Sequence, residues 1–477
     1  MVSLRALCTA LLSLNLVACG GGSAPGGSSM GSSGGTTSPP SGTDCSLRAR
    51  QLWARTQLEE WYLFPETLPS GLDPAPYASV QDYVDALTAT ARSQGKDRYF
   101  TYVTSITEEN AFFDKGETAA FGIRLQTEAG PGRLFVADVY EGSPAEAAGF
   151  QRGTEILAIG TSPSTLESVA AFIARGGSAL DDAFGPARAG VARSFRISDS
   201  RGEQVVSATK ADFNIAPVSS RYGTRVIEVD GRRVGYLNLR TFISTAEPAL
   251  RSAFAGFREQ GVRELIIDFR YNGGGLIDVA ARLGDLMGED RLSGDVFHKL
   301  SYRASKAAND ETRRFQRQPQ SVAPIRIAFI TTGDSASASE LVVNSMEPWL
   351  SGNVILVGAN SYGKPVGQIA RDRSACDDRL RVIAFAAKNA DGRGDYYSGL
   401  AGVIGRTCAA ADDLSRSMGD PAEASTRVAL DALAGRSCTP IGATARAQAS
   451  TAERAGRRTL LVPERPGVVQ REVPGSY

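Results

Sequence analysis

From residue 44 onward the hydrophobic pattern of the chain changes period twice. Leu58, Trp61 and Tyr62 fall at i, i+3 and i+4, the spacing of one helix face, and Pro65 stops the run. Ser79 and Asp82 make a capping box ahead of Tyr83, Val84 and Leu87. Residues 44–118 therefore read as a helical N-terminal region, with no chemistry visible in it. From 119 to 214 the texture turns to short strands, Phe121-Gly122-Ile123 and Leu134-Phe135-Val136 among them. From 215 to 435 strands and helices alternate. Strands are expected at Val234–Leu239, Glu264–Asp268, Ile325–Thr331 and Asn353–Val357. Helices are expected at Ala246–Glu259 (with Thr245 as N-cap), Leu276–Met287 and Ala336–Leu350. Such alternation predicts an α/β core with mostly parallel strands flanked by helices, and chemistry on the loops at strand ends. Residues 436–477 show little periodicity and read as an irregular tail. The fold class is multidomain α/β (α+β): a helical cap, a β-rich domain and an α/β core.

The N-terminus reads as an address. Arg5 precedes an apolar run from Ala6 to Val17, the length of a signal-peptide core and too short to span a bilayer. It ends in Leu16-Val17-Ala18-Cys19, which resembles the lipobox of bacterial lipoproteins. The resemblance implies that residues 1–18 are a signal peptide and that Cys19 carries lipid. Residues 19–43 would then be a Gly/Ser/Pro tether. The expected location is the periplasm-facing cell envelope, and Gly20 after the cysteine suggests the outer membrane of a Gram-negative host. An ordinary secretory signal cleaved nearby is the alternative.

Charge removes several function classes. Fifty-two basic residues balance 52 acidic ones, so no net field holds nucleic acid. His298 is the single histidine, which excludes zinc sites built on two or three histidines. A Ser-His-Asp triad would rest on that residue alone, and no motif surrounds it. Neither a metal nor another cofactor is expected. Once Cys8 leaves with the signal and Cys19 takes lipid, Cys45, Cys376, Cys408 and Cys438 remain as candidates for two disulfides in an oxidising compartment. Three connectivities are possible. Cys376–Cys408 with Cys45–Cys438 is preferred, because Cys376 and Cys408 flank one strand-rich excursion.

The densest chemical signal is Gly333-Asp334-Ser335-Ala336-Ser337-Ala338-Ser339-Glu340, between a strand and a helix. A serine at a helix N-terminus has free N–H groups beside it, which a nucleophile needs for the oxyanion it creates. The base must then be a lysine, since histidine is scarce. Of seven lysines, Lys364 stands out, in Gly358-Ala359-Asn360-Ser361-Tyr362-Gly363-Lys364-Pro365-Val366-Gly367-Gln368, on the loop leaving the next strand. Burial must lower its pKa before it can act as a base. Asp268-Phe269-Arg270-Tyr271-Asn272-Gly273-Gly274-Gly275 is a second N–H donor turn; it lacks the lysine and Ser/Thr of a phosphate loop. Upstream, Gly142-Ser143-Pro144-Ala145-Glu146-Ala147-Ala148-Gly149 and Gly153-Thr154-Glu155-Ile156-Leu157-Ala158-Ile159 resemble a PDZ domain of the bacterial protease type, with Thr154 where Asp is usual. That resemblance implies a peptide-binding edge with its carboxylate loop near Phe121, Gly122 and Ile123. A PDZ-like spacer that binds nothing is the bland alternative.

Together these motifs resemble the C-terminal processing (tail-specific) serine peptidases, over roughly Phe121 to Leu433 and including Gly419-Asp420-Pro421-Ala422-Glu423. The resemblance implies Ser337 as nucleophile, Lys364 as base, Gln368 as the group orienting the lysine, and the N–H groups of Ala338 and Gly274 as oxyanion donors. Three departures stand out. Pro348 occupies a position where some members carry Asp, Pro365 follows the lysine, and Tyr271 and Gly273 alter the glycine turn. The implied activity is a serine endopeptidase acting on periplasmic or envelope proteins near their C-termini, with protein or peptide substrates. The membrane is reached only through the N-terminal lipid, and adaptor or oligomer partners stay open. The rivals are a catalytically silent PDZ-containing scaffold lipoprotein and acyl transfer to a small molecule.

Overall fold

The computed structural model describes residues 44–128, 130, 132–442 and 458–477. Cys19, the signal peptide over 1–18 and the tether over 19–43 lie outside the described residues.

The α/β core is a six-stranded sheet in the order Thr224–Val229, Arg232–Asn238, Glu264–Asp268, Arg326–Thr331, Val354–Gly358, Arg406–Ala409. The first pair is antiparallel and every later pair parallel. The run Leu265-Ile266-Ile267 is apolar throughout because both faces of this sheet are covered. Leu265 and Ile267 join Phe329 and Leu356 under the helices Ala246–Glu259, Ile277–Leu286 and Ala338–Leu350. Ile266, Ile330 and Val357 face the helix Ala424–Leu433 on the other side. The Ala246–Glu259 helix has the expected bounds, with Thr245 at the N-cap position, although its hydroxyl makes no capping bond.

A five-stranded antiparallel sheet packs beside the core and contains Val366–Arg373 and Asp378–Lys388. One of its strands, Tyr102–Ser105, comes from the N-terminal region and pairs with residues 378–381. That region is thus not purely helical: Leu47–Trp61 and Val80–Leu87 form as the periodicity predicts, with Ser79 Oγ accepting from Asp82 N at 3.0 Å, but between them and the helix Ile106–Lys115 a strand is recruited by a distant partner.

Residues 123–209 supply six strands of a seven-stranded sheet, with Gly202–Thr209 at one edge and Ile123–Glu128 as their last strand on the other side. Thr154, in the position where Asp is usual, accepts from Gln151 N through its hydroxyl at 3.1 Å, so the turn keeps a side-chain cap. The tail over 436–477 is not irregular where it is described. Arg458–Leu460 adds to the free edge of Ile123–Glu128, and Val468–Glu472 is a short helix. Tail strands of three residues carry no periodicity of their own; the sheet edge makes them.

The four cysteines pair as Cys45–Cys376 and Cys408–Cys438. The preferred pairing is corrected, since the N-terminal helix packs on the 366–388 hairpin and brings Cys45 to Cys376. Cys438 follows the Ala424–Leu433 helix back to the edge strand that holds Cys408. His298 is buried on Val296–Tyr302 with burial lowering its pKa to about 4, so it is a neutral packing residue. Among the described residues no helix is long and apolar enough to cross a membrane.

Candidate active site

Three loops leave the C-terminal ends of the adjacent parallel strands Glu264–Asp268, Arg326–Thr331 and Val354–Gly358, where an α/β sheet places its chemistry. They carry the glycine turn, Ser337 and Lys364. Direct hydrogen bonds knit them together. Ala336 N donates to Asn272 O at 3.0 Å, and Tyr362 N donates to Ser335 O at 2.9 Å. Ser335 Oγ donates to Phe269 O at 2.7 Å and Ser339 Oγ to Asn272 O at 3.1 Å. Both of those serines are fully buried, whereas Ser337 between them is partly exposed. The alternation follows from the turn, in which every second hydroxyl points into the loop scaffold.

Ser337 is held at φ 56° and ψ −114°, left-handed for a residue with a Cβ. Such strain costs about 1–3 kcal/mol and is tolerated where the surroundings over-determine it. Here the determinant is Glu340, one turn into the helix and fully buried. Its Oε2 accepts from Ser337 N at 3.0 Å and from Lys364 N at 2.7 Å, while Oε1 accepts from Gly363 N at 2.6 Å. A single carboxylate therefore grips the backbone of both the serine and the lysine. Burial pushes the Glu340 pKa up, opposed by its bonds with Ser361, Lys364, Gly363 and Ser337. The glutamate belongs to the serine motif, yet its link to the lysine loop lies between strands and has no sequence signal.

Lys364 Nζ donates to Gln368 Oε1 at 3.2 Å, and Gln368 Nε2 donates to Phe100 O. No hydrogen bond joins Nζ to Ser337 Oγ among the described residues. The ammonium lies 5.1 Å from the centre of the Phe100 ring, and Arg98 of the same segment donates to the carbonyls of Tyr362 and Gly363. The N-terminal region thus walls the lysine, contrary to the expectation that it holds no chemistry. Burial lowers the Lys364 pKa; Glu472, Asp97 and Glu340 act in the opposite direction, and Arg471 adds to the lowering.

The glycine turn meets the serine closely. A Cβ on Gly274, whose φ is 122°, would lie 2.8 Å from Ser337 Cβ and 3.2 Å from Ala338 N, so only glycine fits. The Gly274 N–H itself donates to Asn272 Oδ1 at 2.9 Å, and the neighbouring Gly273 N–H donates to Glu472 O at 3.1 Å. In this conformation the Gly274 N–H, expected as an oxyanion donor, is engaged by the Asn272 side chain. Behind the turn, Arg270 is fully buried between Asp268, with Nη2 to Oδ2 at 2.6 Å, and Glu423, with Nη1 to Oε1 at 2.9 Å. Glu423 also caps the Ala424–Leu433 helix, which gives the Gly-Asp-Pro-Ala-Glu stretch its physical role. A cleft of ≈ 1380 Å³ opens beside the loops, bounded by Arg270, Thr332, Asp334, Asn360 and Asp412; neither Ser337 nor Lys364 lines it.

Phe121, Gly122 and Ile123 lie well away from these loops along the sequence, at the start of the outer strand of the β-rich region. Arg152 of that region donates to Asp412 Oδ1 at 2.7 Å and to Tyr271 Oη at 3.1 Å, and the Arg124 guanidinium lies 5.2 Å from the centre of the Tyr271 ring, so the β-rich region touches the glycine turn through Tyr271.

Residues 233–395 match the profile described as Peptidase family S41, which spans the glycine turn, the serine motif and the lysine loop. The carboxy-terminal processing protease CtpA of Bacillus subtilis is 26% identical over 309 residues, covering 64% of this chain and 59% of that protein. A carboxyl-terminal-processing protease of Picosynechococcus sp. is 26% identical over 254 residues, 52% of this chain and 55% of its own length. The chain thus spans little more than half the length of these curated relatives. A crystal structure from Bacteroides fragilis, described as an S41 protease, superposes with TM-score 0.62 at 22% identity, over 80% of this chain and 97% of that one, and shows the same fold. Residues 233–395 are thus similar to the S41 peptidases, and the chain is similar, at about a quarter identity, to carboxy-terminal processing proteases.

Proposed function

We propose that this chain is a serine endopeptidase with a Ser337–Lys364 dyad, acting on protein tails in the cell envelope. The observation that carries the reading is the shared carboxylate of Glu340, which ties the backbone of a strained, partly exposed serine to that of a partly buried lysine. Neutral Lys364 Nζ takes the Ser337 Oγ proton as Oγ bonds to the substrate carbonyl carbon. The resulting oxyanion is held by the Ala338 N–H, and by Gly274 once its N–H turns from Asn272. Lys364 then gives its proton to the leaving amine as the C–N bond breaks. Water attacks the ester, its proton passes to Lys364, and Ser337 is regenerated with release of the new carboxylate. Gln368, anchored on Phe100, orients Nζ in the resting state. The 119–214 region acts as a PDZ-like module that receives the substrate tail along Phe121-Gly122-Ile123.

The dyad makes the pH profile diagnostic. Only the neutral lysine is a base, so turnover should rise with pH through the folded pKa of Lys364, which burial holds below its ordinary 10.5. His298 stays neutral above about pH 4, so His298→Gln should leave rate and profile unchanged, with no limb near pH 6–7. A profile limb that disappears in a folded His298→Gln variant would refute the lysine mechanism.

A silent scaffold is favoured by one feature of this conformation: the Gly274 N–H and Lys364 Nζ both point to other partners. Covalent labelling of Ser337 by a fluorophosphonate separates the two readings, because a scaffold is not acylated.

The lipid anchor rests on Leu16-Val17-Ala18-Cys19. Cys19→Ala should move the protein from the membrane fraction into the soluble periplasm; unchanged fractionation would remove the anchor from the proposal.

A further inference from the structure

The start of the peptide edge of the β-rich region is already filled by the chain's own residues Gly475–Tyr477, the last part of the segment from Val468 to Tyr477, and Arg458–Leu460 occupies the edge beyond it. Gly122 N and Ile123 N donate to Tyr477 O at 2.9 and 3.3 Å, and Tyr477 N donates back to Ile123 O at 2.9 Å. Leu125 N donates to Gly475 O at 2.8 Å, and Ser476 pairs antiparallel with Arg124. This is strand addition in the form by which such sheet edges take extended peptides. Gly122, at φ 87°, makes room for it: a Cβ there would collide with Ser143, which fixes the loop that presents both N–H groups.

The last residue of the segment is read by side chains as well. The Tyr477 ring is 5% exposed, sits 4.8 Å from the Phe184 ring, and belongs to the core cluster of Phe121, Ile123 and Phe195. Its hydroxyl donates to Asp181 Oδ1 at 2.7 Å. Ser476 Oγ is bonded to Tyr140 Oη at 2.7 Å. A pocket that is apolar along its walls with one acceptor at its floor suits a phenol.

The same segment also covers the catalytic loops. Glu472 O accepts from Gly273 N at 3.1 Å, which puts a peptide carbonyl on the turn beside Ser337. Any Cβ at Gly273 would meet Arg471 O at 2.7 Å, Glu472 O at 2.9 Å and Pro474 Cδ at 3.0 Å, so the backbones are in direct contact. The largely buried Glu472 acts to raise the Lys364 pKa against the lowering by burial, which opposes the lysine's use as a base. Val468 and Val473 anchor the short helix on Phe112, Tyr140 and Ile243.

We propose that Val468–Tyr477 is an intramolecular competitor that holds both the peptide edge and the glycine turn until an unstructured protein tail ending in an aromatic residue, read by Asp181 and the Phe184 pocket, displaces it. The proposal rests on the peptidase reading for its consequence, but the competition itself is a binding equilibrium. With the groove filled in cis, affinity for an added tail falls by the fraction of molecules whose groove is open.

The test uses the full chain, a fluorescent Arg-Glu-Val-Pro-Gly-Ser-Tyr heptapeptide carrying the sequence of residues 471–477, and fluorescence anisotropy. Tyr477→Ala removes the ring and the Asp181 bond from the cis segment and should bind the heptapeptide at least about tenfold more tightly than the unaltered chain. A chain lacking residues 468–477 should behave like Tyr477→Ala, and its thermal melt shows whether it is folded. Adding Asp181→Ala to Tyr477→Ala should weaken heptapeptide binding again, while a heptapeptide ending in alanine should bind poorly to all forms. Equal heptapeptide affinity in the unaltered chain and in folded Tyr477→Ala would overturn the proposal. Fluorophosphonate labelling of the same samples keeps the two ideas apart. Tighter heptapeptide binding without any Ser337 acylation would sustain the competitor and refute the peptidase.

Discussion

Ser337→Ala and Lys364→Ala should each reduce cleavage of an unfolded protein substrate by at least about 10³-fold, because nucleophile and base act as one unit and losing either removes covalent catalysis. Gel-based turnover of a denatured substrate at fixed enzyme concentration reads the loss. Ser335→Ala and Ser339→Ala are the informative controls. Their hydroxyls donate to Phe269 O and Asn272 O inside the scaffold, so each change should lower stability by about 1–2 kcal/mol while leaving a nucleophile in place. A folded Ser335→Ala variant without activity, beside an active Ser337→Ala, would shift the nucleophile by two residues and dismantle the geometry described above.

Glu340→Ala should be the most destabilising single change at the site. The carboxylate is fully buried and accepts the N–H groups of Ser337, Gly363 and Lys364, three donors that alanine would leave without a partner. Each orphaned donor costs about 1–3 kcal/mol, so a total of about 3–6 kcal/mol is expected after partial relaxation. Chemical denaturation reads it directly. Glu340→Gln separates geometry from charge, since an amide oxygen keeps some of the acceptors while its NH₂ must face at least one N–H. An intermediate loss of stability with a larger loss of turnover is expected, because the left-handed backbone of Ser337 depends on that acceptor. Stability equal to the unaltered chain in Glu340→Ala would show that the serine and lysine loops are held by something else.

Much of the core was legible in the pattern of residues. The Ala246–Glu259 helix and the Glu264–Asp268 strand were readable because each has a strong local signal, a helical apolar face in one and a short β-rich apolar run in the other. The choice of Ser337 among three serines came from resemblance, and in the structure burial separates it from its neighbours. The disulfides were not legible. Cysteine spacing carries no information on which helix folds back across the 366–388 hairpin, and that packing decided Cys45–Cys376. Likewise the strand Tyr102–Ser105 exists because residues 378–381 offer it an edge.

For this chain, local sequence determined the α/β alternation, the helix starts and the loops on which serine, lysine and glycines stand, since those depend on periodicity and turn chemistry within a dozen residues. Tertiary structure alone decided how the loops are coupled. Glu340 joins two loops from different strands, Phe100 and Arg98 wall the lysine from a region far upstream, and Val468–Tyr477 lies along Ile123 and Gly273. Each joins segments separated by many residues, and most take at least one partner from the backbone N–H and C=O groups that every residue carries. Side-chain pattern cannot encode such pairings, because what selects them is which edges and donors the folded sheets leave unfilled.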